Sequence, residues 1–360
     1  MGERPQVRRG RIVLAGALTV VMVLVVGGAA YWRGWFTDPS VADPPQVDPA
    51  GLETVLTGLA APWGVAFLPD GSALVTERDS GRLLRVAGNL SGEVTRVPGV
   101  VAGGEGGLLG VAVADSYPED GWIYLYHTAE EDNRIVRTTL EGGTPEPVLT
   151  GIPKARTHNG GRIAFGPDGM LYVGTGDAGD RNSSQDRDSL AGKILRLTPE
   201  GRPAPGNPFG DSPVYSYGHR NVQGLAWDST GALFAAEFGQ NRYDELNRVV
   251  PGGNHGWPEV EGDSDDDRYV RPVATWATHE ASPSGIAIVD DTVYVACLRG
   301  QRLYRIGTDG QGAESLLTGE HGRLRHVEPA PDGSLWVLTN NSDGRGAPGP
   351  DDDRILRLEL

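Results

Sequence analysis

A pattern of two apolar runs separated by a turn recurs six times along this 360-residue chain. Each copy is typical of a β-hairpin, and 53 glycines and 26 prolines favour many short strands joined by tight turns. The copies are WGVAFLPDGSALVTER, LLGVAVADSYPEDGWIYLYH, GRIAFGPDGMLYVGTGD, QGLAWDSTGALFAAEFG, SGIAIVDDTVYVACLRG and RHVEPAPDGSLWVLTNN. Their equivalent positions are 41 to 62 residues apart, at Gly64, Gly110, Arg162, Gly224, Gly285 and His326. Repeats of this length predict an all-β, six-bladed β-propeller with four-stranded blades.

Shorter apolar runs after each hairpin supply the outer strands of the predicted blades. The third strands are RLLRV, RIVRTTL, KILRLTP, ELNRVV, RLYRI and RILRL. The fourth strands are weaker, and are visible as TRVPGV, PVLTG, SLLTG and, ahead of the first hairpin, ETVLTG from Glu53. We expect ETVLTG to pair into the last blade, because this closes the ring and protects the sheet edges.

The only long apolar run extends from Ile12 to Tyr31 without a charge. It is long enough to cross a bilayer core of about 30 Å. Four arginines precede it and Trp32 and Trp35 follow it, which predicts a retained transmembrane signal-anchor with its N-terminus in the cytoplasm. The alternative is a cleaved signal peptide, since Gly28–Ala30 is a small-residue stretch. Both interpretations place the main domain outside the cytoplasm.

Charge and cysteine content narrow the possible partners. The net charge is −16, of which residues 1–36 contribute +4, so the remaining residues carry −20 and nucleic acid is not an expected partner. Cys297 is the only cysteine, which excludes an intrachain disulfide. The predicted domains are residues 1–36 as cytoplasmic N-terminus and anchor, the Pro-rich acidic residues 37–51 as linker, and residues 52–360 as the propeller.

Blade geometry brings the unusual polar residues to one face. Strands alternate in direction, so the loop entering a first strand and the loop leaving a second strand lie at the same end of the channel. The polar residues before first strands are Glu105, His158, Arg220, Asn221, Arg323 and Arg325. Those after second strands are Asp177, Glu237, Gly239 and Arg299. We therefore expect these residues to converge on one mouth of the central channel.

His158 and Asp177 flank one predicted hairpin, in THNGGR and GTGDAGD. A histidine oriented by a carboxylate is a general-base arrangement. The alternative is that His158 bonds only the backbone of its own loop. Convergence with residues from other blades favours the catalytic interpretation.

The arginines predict an anion site. Arg220, Arg299, Arg323 and Arg325 come from three blades of an acidic domain, and a basic pocket there would suit a polycarboxylate or phosphate. The alternative is that each pairs with a nearby acidic side chain. A possible cation site begins at Glu237, in the segment EFGQNRYDELNRVVPGGNHGWP, which is rich in oxygen donors of the kind that Ca²⁺ prefers. The alternative is that this segment is a solvated acidic turn.

Six segments resemble the soluble dehydrogenases for glucose and aldose sugars that depend on pyrroloquinoline quinone (PQQ). They are HNGGRIAFGPDGMLYVGTGDAG, SLAGKILRLTPEG, YGHRNVQGLAW, GQNRYDELN, GGNHGWP and PSGIAI, and the resemblance spans roughly residues 52 to 360. It implies a six-bladed quinoprotein that oxidises a sugar or related alcohol and delivers electrons to an external acceptor. It implies PQQ and Ca²⁺ as cofactors.

The resemblance also implies individual roles. His158 would remove the sugar hydroxyl proton as hydride passes to the quinone, Asp177 would hold the imidazole, and Arg220 with Asn221 would polarise the quinone oxygen. The PQQ-binding positions would be Glu105, Arg299, Arg323 and Arg325, and the carbonyls of Gly239 and Gln240 would hold Ca²⁺.

Three positions depart from the pattern of the glucose enzymes. Glu105 replaces an amide side chain, Arg299 replaces Lys and Gln240 replaces Pro. Glu105 beside an anionic cofactor requires a proton or a bond to an arginine. Two other functions remain open: a Ca²⁺-dependent lactone hydrolase on a propeller, which would leave the arginines without a role, and a non-catalytic ligand-binding propeller.

Overall fold

A computed structural model describes residues 1–2 and 44–360 of the chain, and Pro44–Leu360 forms one compact unit. The predicted transmembrane anchor and the first part of the predicted linker lie outside the described residues. Within those residues no helix is long and apolar enough to cross a membrane.

The described residues form six four-stranded antiparallel sheets, which confirms the predicted six-bladed propeller. Blade one contains β1 to β4, at Pro62–Phe67, Ala73–Glu77, Arg82–Ala87 and Leu90–Arg96. Blade two contains β5 to β8, at Leu108–Val113, Ile123–Thr128, Asn133–Thr138 and Glu146–Ile152. Blade three contains β9 to β12, at Ile163–Phe165, Leu171–Gly174, Lys193–Leu197 and Val214–Tyr217.

The remaining blades repeat this order and close the ring. Blade four contains β13 to β16, at Val222–Trp227, Leu233–Glu237, Tyr243–Arg248 and Ala274–Ala277. Blade five contains β17 to β20, at Pro283–Val289, Thr292–Cys297, Arg302–Gly307 and Glu314–Leu316. Blade six contains β21 to β23, at Leu324–Pro329, Leu335–Thr339 and Ile355–Leu358, and takes its fourth strand, β24, from Leu52–Leu56 near the start of the described segment.

Ring closure by ETVLTG is confirmed. Leu52 pairs with Leu358 and Thr54 with Leu356 in an antiparallel ladder. The residues just before this strand also contact the propeller, since Ser315 N–H donates to the Pro45 carbonyl at 3.0 Å and Val47 N–H to the Ser315 carbonyl at 2.9 Å. This part of the predicted linker therefore lies along β20.

In blade one, burial decreases from the inner strands to the outermost strand. All five residues of Ala73–Glu77 are buried, whereas most of Leu90–Arg96 is exposed. The apolar clusters lie between neighbouring blades, as where Leu74 and Leu83 of blade one pack with Val111 and Leu125 of blade two. Packing of this kind fixes each inner strand and holds the loops at the two ends of the channel.

The prediction for the fourth strand of blade one was wrong in its bounds. TRVPGV begins at Thr95, but the strand is Leu90–Arg96, whose exposed residues carry no apolar alternation. Within residues 44–360, two short helices lie in connecting loops: the α-helix Tyr117–Asp120 and the 3₁₀ helix Arg181–Ser184. The 3₁₀ helix follows Asp177 and so borders the candidate site.

Candidate functional site

His158 and Asp177 meet across the mouth of blade three, as the sequence predicted. His158 precedes the first strand of the blade and Asp177 follows the second. His158 Nδ1 lies 2.7 Å from Asp177 Oδ1, and the Ala178 N–H donates to the His158 carbonyl at 3.1 Å. The imidazole is therefore held by a carboxylate as well as by its own loop.

Asp177 is a buried, fully engaged carboxylate. Its Oδ1 also accepts the Gly179 N–H at 2.8 Å, and its Oδ2 accepts the indole N–H of Trp257 at 2.9 Å. Burial acts to raise the pKa of Asp177, but the bonds from His158, Gly179 and Trp257 outweigh it and the pKa is lowered. An ionised Asp177 favours the proton on His158 Nδ1 and leaves the lone pair on Nε2.

Arg220 confirms this tautomer. Its Nη2 donates to His158 Nε2 at 2.9 Å, so Nε2 is the acceptor. Arg220 is also fixed through Nη1, which donates to the Phe238 carbonyl at 3.2 Å. The His158 side chain keeps 20% of its surface exposed, so a small molecule in the channel can reach it.

Asn221 is buried beside the same base. Its Oδ1 accepts the Gly160 N–H at 2.9 Å. Among the described residues no group accepts a hydrogen bond from Asn221 Nδ2 or from Arg220 Nε. Two buried donors from one loop therefore remain available for an acceptor.

Glu105 is bonded to an arginine, but not to one that the sequence singled out. Its Oε1 accepts Arg345 Nη2 at 2.8 Å, and its Oε2 accepts the His158 N–H at 2.8 Å. The carboxylate is thus neutralised by Arg345 and anchors the main chain of the base. A carboxylate at position 105, where the glucose enzymes have an amide, is therefore compatible with an anionic ligand nearby.

Arg323 and Arg325 share one buried counter-ion, Asp343. Asp343 Oδ2 lies 2.9 Å from Arg323 Nη2 and 3.7 Å from Arg325 Nη2. Burial acts to raise the pKa of Asp343, but the two guanidinium groups lower it. One carboxylate facing two guanidinium groups leaves an excess of positive charge.

Arg325 is the more deeply buried cation. Its Nη1 donates to Gln223 Oε1 at 2.8 Å, and its guanidinium lies 5.8 Å from the ring centre of Trp63. Burial lowers the pKa of Arg325 to about 9, with the Arg323 charge acting in the same direction. Among the described residues its Nε has no acceptor, so an anion here would stabilise the charge.

Arg299 stays apart from this cluster. Its side chain is exposed, and its described hydrogen bond goes from Nη1 to the Thr278 carbonyl at 3.4 Å. The strand that precedes it ends at Cys297, so Arg299 lies on the expected face, but no contact joins it to His158, Arg323 or Arg325 in the described residues.

Glu237 supports Arg220 from beneath. Its Oε2 accepts the Arg220 N–H at 2.7 Å, and its Oε1 accepts Nδ1 of the buried His219 at 2.7 Å and Asn247 Nδ2 at 3.0 Å. Burial raises the pKa of Glu237, and burial followed by the charge of Glu237 raises that of Glu245. The pKa of each carboxyl group is therefore higher than that of a glutamate in water.

The predicted cation site lies on the turn after Glu237. The N–H groups of Gln240, Asn241 and Arg242 converge on Glu261 Oε1 at 2.6, 2.9 and 3.0 Å. Since N–H and C=O of one planar trans peptide point in opposite directions, the carbonyls of Gly239 and Gln240 face away from Glu261. No cluster of three or more His, Cys, Asp or Glu side chains in residues 1–2 and 44–360 could hold a metal, so a cation would depend on such main-chain oxygens.

A cavity of about 630 Å³ lies elsewhere, at the opposite ends of the first strands. Phe67, Phe165 and Trp227 are among the residues that line it, and none of the predicted site residues is. Its size does not make it the candidate site, because His158 and Asp177 and the unpaired donors of Arg220 and Asn221 lie at the other mouth.

Comparison with known proteins identifies the family. A family model described as Glucose / Sorbosone dehydrogenase matches residues 59–356. The chain belongs to the glucose/sorbosone dehydrogenase family. The resemblance that the sequence motifs indicated is confirmed.

Relatives of this family member include solved and curated proteins. The PQQ-bound aldose sugar dehydrogenase of Streptomyces coelicolor is 53% identical, with a TM-score of 0.83 over 87% of this chain and 99% of that one. The aldose sugar dehydrogenase YliI of Escherichia coli is 29% identical over 81% of this chain and 91% of that protein. Quinoprotein glucose dehydrogenase B of Acinetobacter calcoaceticus is 33% identical over 60% of this chain and 54% of that protein.

The mouth of this glucose/sorbosone dehydrogenase fits a polycarboxylate cofactor such as PQQ. Arg220 Nε, Asn221 Nδ2 and Arg325 Nε are buried donors without acceptors among the described residues. Buried donors are almost always paired in folded proteins, so unpaired ones contributed by blades four and six favour a ligand that supplies acceptors. Arg323 and Arg325 add charge that matches carboxylates.

Sequence reasoning missed several residues of the site. Asp343, Arg345, Gln223 and Trp257 were given no role, although GGNHGWP contains Trp257. Trp257 makes a bond to Asp177 across 80 residues, and Arg345 makes one to Glu105 across 240 residues. No local pattern indicates partners at such separations.

A substitution at Gly176 tests how closely the His158 main chain is packed against its neighbours. A Cβ on Gly176 would lie 1.9 Å from the His158 carbonyl oxygen and 2.9 Å from Asn221 Oδ1. We expect Gly176→Ala to lower the free energy of unfolding by about 1 to 3 kcal/mol, as overpacking does, and to reduce turnover by displacing His158. Urea unfolding and a rate assay measure both quantities. Gly92→Ala is the control, since a Cβ at Gly92 meets nothing within 4 Å; equal stability of the two variants would contradict the placement of His158.

Proposed function

We propose that this member of the glucose/sorbosone dehydrogenase family oxidises an aldose sugar or a related alcohol with PQQ bound at the mouth that holds His158. The observation that carries the proposal is the position of the His158 Nε2 lone pair. Nε2 lies 2.9 Å from Arg220, while Nδ1 lies 2.7 Å from an ionised carboxylate. When bound, PQQ supplies a quinone that accepts two electrons as hydride.

His158 is the base in this proposal. Its Nε2 takes the proton of the substrate hydroxyl, and Asp177 stabilises the imidazolium that forms. Because Asp177 is held by three donors, it keeps the ring in one orientation throughout. The bond from Arg220 to Nε2 has to give way to the substrate hydroxyl.

The arginines bind and orient the cofactor. Arg323 and Arg325 hold its carboxylates, with Asp343 fixing both guanidinium groups. Arg220 and Asn221 would offer their unpaired donors to a quinone oxygen of the cofactor and would stabilise negative charge there. Glu105 holds the main chain of His158 through the His158 N–H. Arg299 needs a change of side-chain conformation to contact the cofactor together with Arg323 and Arg325.

Calcium completes the proposed site. The main-chain oxygens of Gly239 and Gln240 are hard donors of the kind that Ca²⁺ prefers. The turn that carries them is fixed by Glu261, so the carbonyls do not depend on the side chain at Gln240. Removal of Ca²⁺ by a chelator is expected to weaken PQQ binding.

Steady-state turnover tests the proposed function. The purified domain from Val41 onward is reconstituted with PQQ and Ca²⁺ and assayed by dye reduction across a panel of aldoses and simple alcohols, with lactones as a parallel panel. Dye reduction that requires both PQQ and an aldose supports the proposal. Lactone hydrolysis without PQQ, or no PQQ-dependent dye reduction with any aldose or alcohol of the panel, overturns it.

We also propose that the propeller is anchored outside the cytoplasm and passes electrons to an acceptor there. The apolar run of residues 12–31 supports this proposal. The mature protein is expected to fractionate with membranes and to keep its original N-terminus, as N-terminal sequencing would show. A soluble form that begins near Tyr31 or Trp32 would indicate a cleaved signal peptide.

A further inference from the structure

Glu105 and Arg345 form an unusual link at the mouth of the channel. The two residues are 240 positions apart and come from blades two and six. Their ion pair is 2.8 Å long, and the other Glu105 oxygen accepts the main-chain N–H of His158 at 2.8 Å. Arg345 itself keeps about half of its surface exposed, at 53%. In the described residues its contact toward His158 runs through Glu105.

The main chain of His158 needs such support. Its φ is +58°, in the left-handed region that residues other than glycine rarely adopt. A conformation of this kind persists only where surrounding bonds fix it. The bonds in place are the His158 N–H to Glu105, the Ala178 N–H to the His158 carbonyl, and the imidazole to Asp177.

Arg345 is also joined to the arginine pair. Its main-chain N–H donates to Asp343 Oδ1 at 2.8 Å, while Asp343 Oδ2 binds Arg323 at 2.9 Å. One short loop therefore contacts Glu105, the acceptor of the His158 N–H, through a side chain and Asp343 of the anion site through its main chain. The ion pair between Arg345 and Glu105 therefore links this loop to the main chain of His158.

We propose that Arg345 is a positioning residue for His158: through Glu105 it holds the left-handed main chain that fixes the base, and through Asp343 it ties that geometry to the Arg323 and Arg325 pair. The inference rests on the proposed function for its catalytic consequence. Its structural consequence, protection of the His158 amide, does not depend on that function.

Matched variants measure the catalytic consequence at saturating PQQ. Arg345→Gln and Glu105→Gln each break the ion pair, and Glu105→Gln keeps a carbonyl for the His158 amide. Each is expected to lower kcat about fivefold to tenfold and to change KM less than about twofold. The double variant is expected to equal the single ones, because both remove one interaction. Arg345→Lys, which keeps the charge, is expected to recover most of kcat.

Hydrogen exchange on the cofactor-free protein provides the second readout. In Arg345→Gln the amide of His158 is expected to exchange about tenfold faster, with a melting temperature close to that of the unmodified protein. Arg85→Gln breaks an exposed ion pair with Asp70 in a hairpin turn of blade one and is the control for both assays. Arg85→Gln is expected to change neither kcat nor the hydrogen-exchange rate of the His158 amide.

The outcomes separate this inference from the proposed function. Unchanged exchange at His158, or single effects on kcat that multiply in the double variant, would overturn the positioning role. If the unmodified protein shows no PQQ-dependent turnover, the proposed function fails and the exchange measurement alone decides the role of Arg345.

Discussion

His158→Gln is expected to fold and bind PQQ while losing about 10² to 10⁴ in turnover. Glutamine keeps a polar side chain in the loop but has no lone pair basic enough to take the hydroxyl proton. Arg220 and Asn221 stay in place, because their own bonds run to Phe238 and Gly160. The rate per PQQ-loaded molecule and the melting temperature are measured on the same purified variant.

Asp177→Asn separates the base from its support. The amide cannot stabilise the imidazolium that forms on proton transfer, so turnover is expected to fall here as well. If His158 were only a structural loop residue, His158→Gln would lower the melting temperature and leave the rate unchanged. A stable, PQQ-loaded and fully active His158→Gln protein would refute the mechanism.

Removal of either buried arginine is expected to weaken PQQ binding by about 1.5 to 3 kcal/mol, the range for hydrogen bonds to charged groups. Arg323→Ala and Arg325→Ala each delete a guanidinium group and leave Asp343 with one guanidinium partner. Because the two arginines share this carboxylate, the double variant is not expected to show a simple sum. Titration of each variant with PQQ gives the dissociation constants.

Arg305→Ala provides the control for this series, since Arg305 pairs with Glu314 on the outer strands of blade five. It is expected to leave PQQ binding unchanged. Loss of sugar affinity with normal PQQ binding in Arg323→Ala or Arg325→Ala would show that the arginines bind substrate instead.

The inner strands could be predicted from the sequence because they are buried in a repeated way. Apolar runs such as ALVTE and LYVG lie between blades, and a PDG-like turn marks each hairpin. The outermost strands could not be placed with the same accuracy. Leu90–Arg96 faces solvent along most of its length, so neither burial nor alternation defines its bounds.

The candidate site also has a part that could be predicted from the sequence and a part that could not. His158 and Asp177 belong to loops of one hairpin and are 19 residues apart, so the repeat itself brought them together in the prediction. Asp343 and Arg345 lie in a loop of blade six. Asp343 pairs with Arg323 and Arg325 of its own blade, about 20 residues earlier, and Arg345 pairs with Glu105 of blade two. The sequence of that loop, NNSDGRG, is also that of an ordinary polar turn.

Glu105 shows how a departure from a family pattern can be resolved by contacts. A carboxylate in place of an amide was difficult to reconcile with an anionic cofactor. The structure pairs it with Arg345, which compensates its charge, and with the His158 amide, which uses its second oxygen. The substitution therefore keeps a hydrogen-bond acceptor beside the base.

Anaerobic titration of the PQQ-loaded domain with an aldose tests the central claim most directly, because it needs no external electron acceptor. The account predicts that the absorbance of bound PQQ changes on addition of about one equivalent of a sugar substrate, and that the change is at least about a hundredfold slower in His158→Gln. An absorbance that stays constant with every aldose tested, in protein that contains PQQ, would contradict the account.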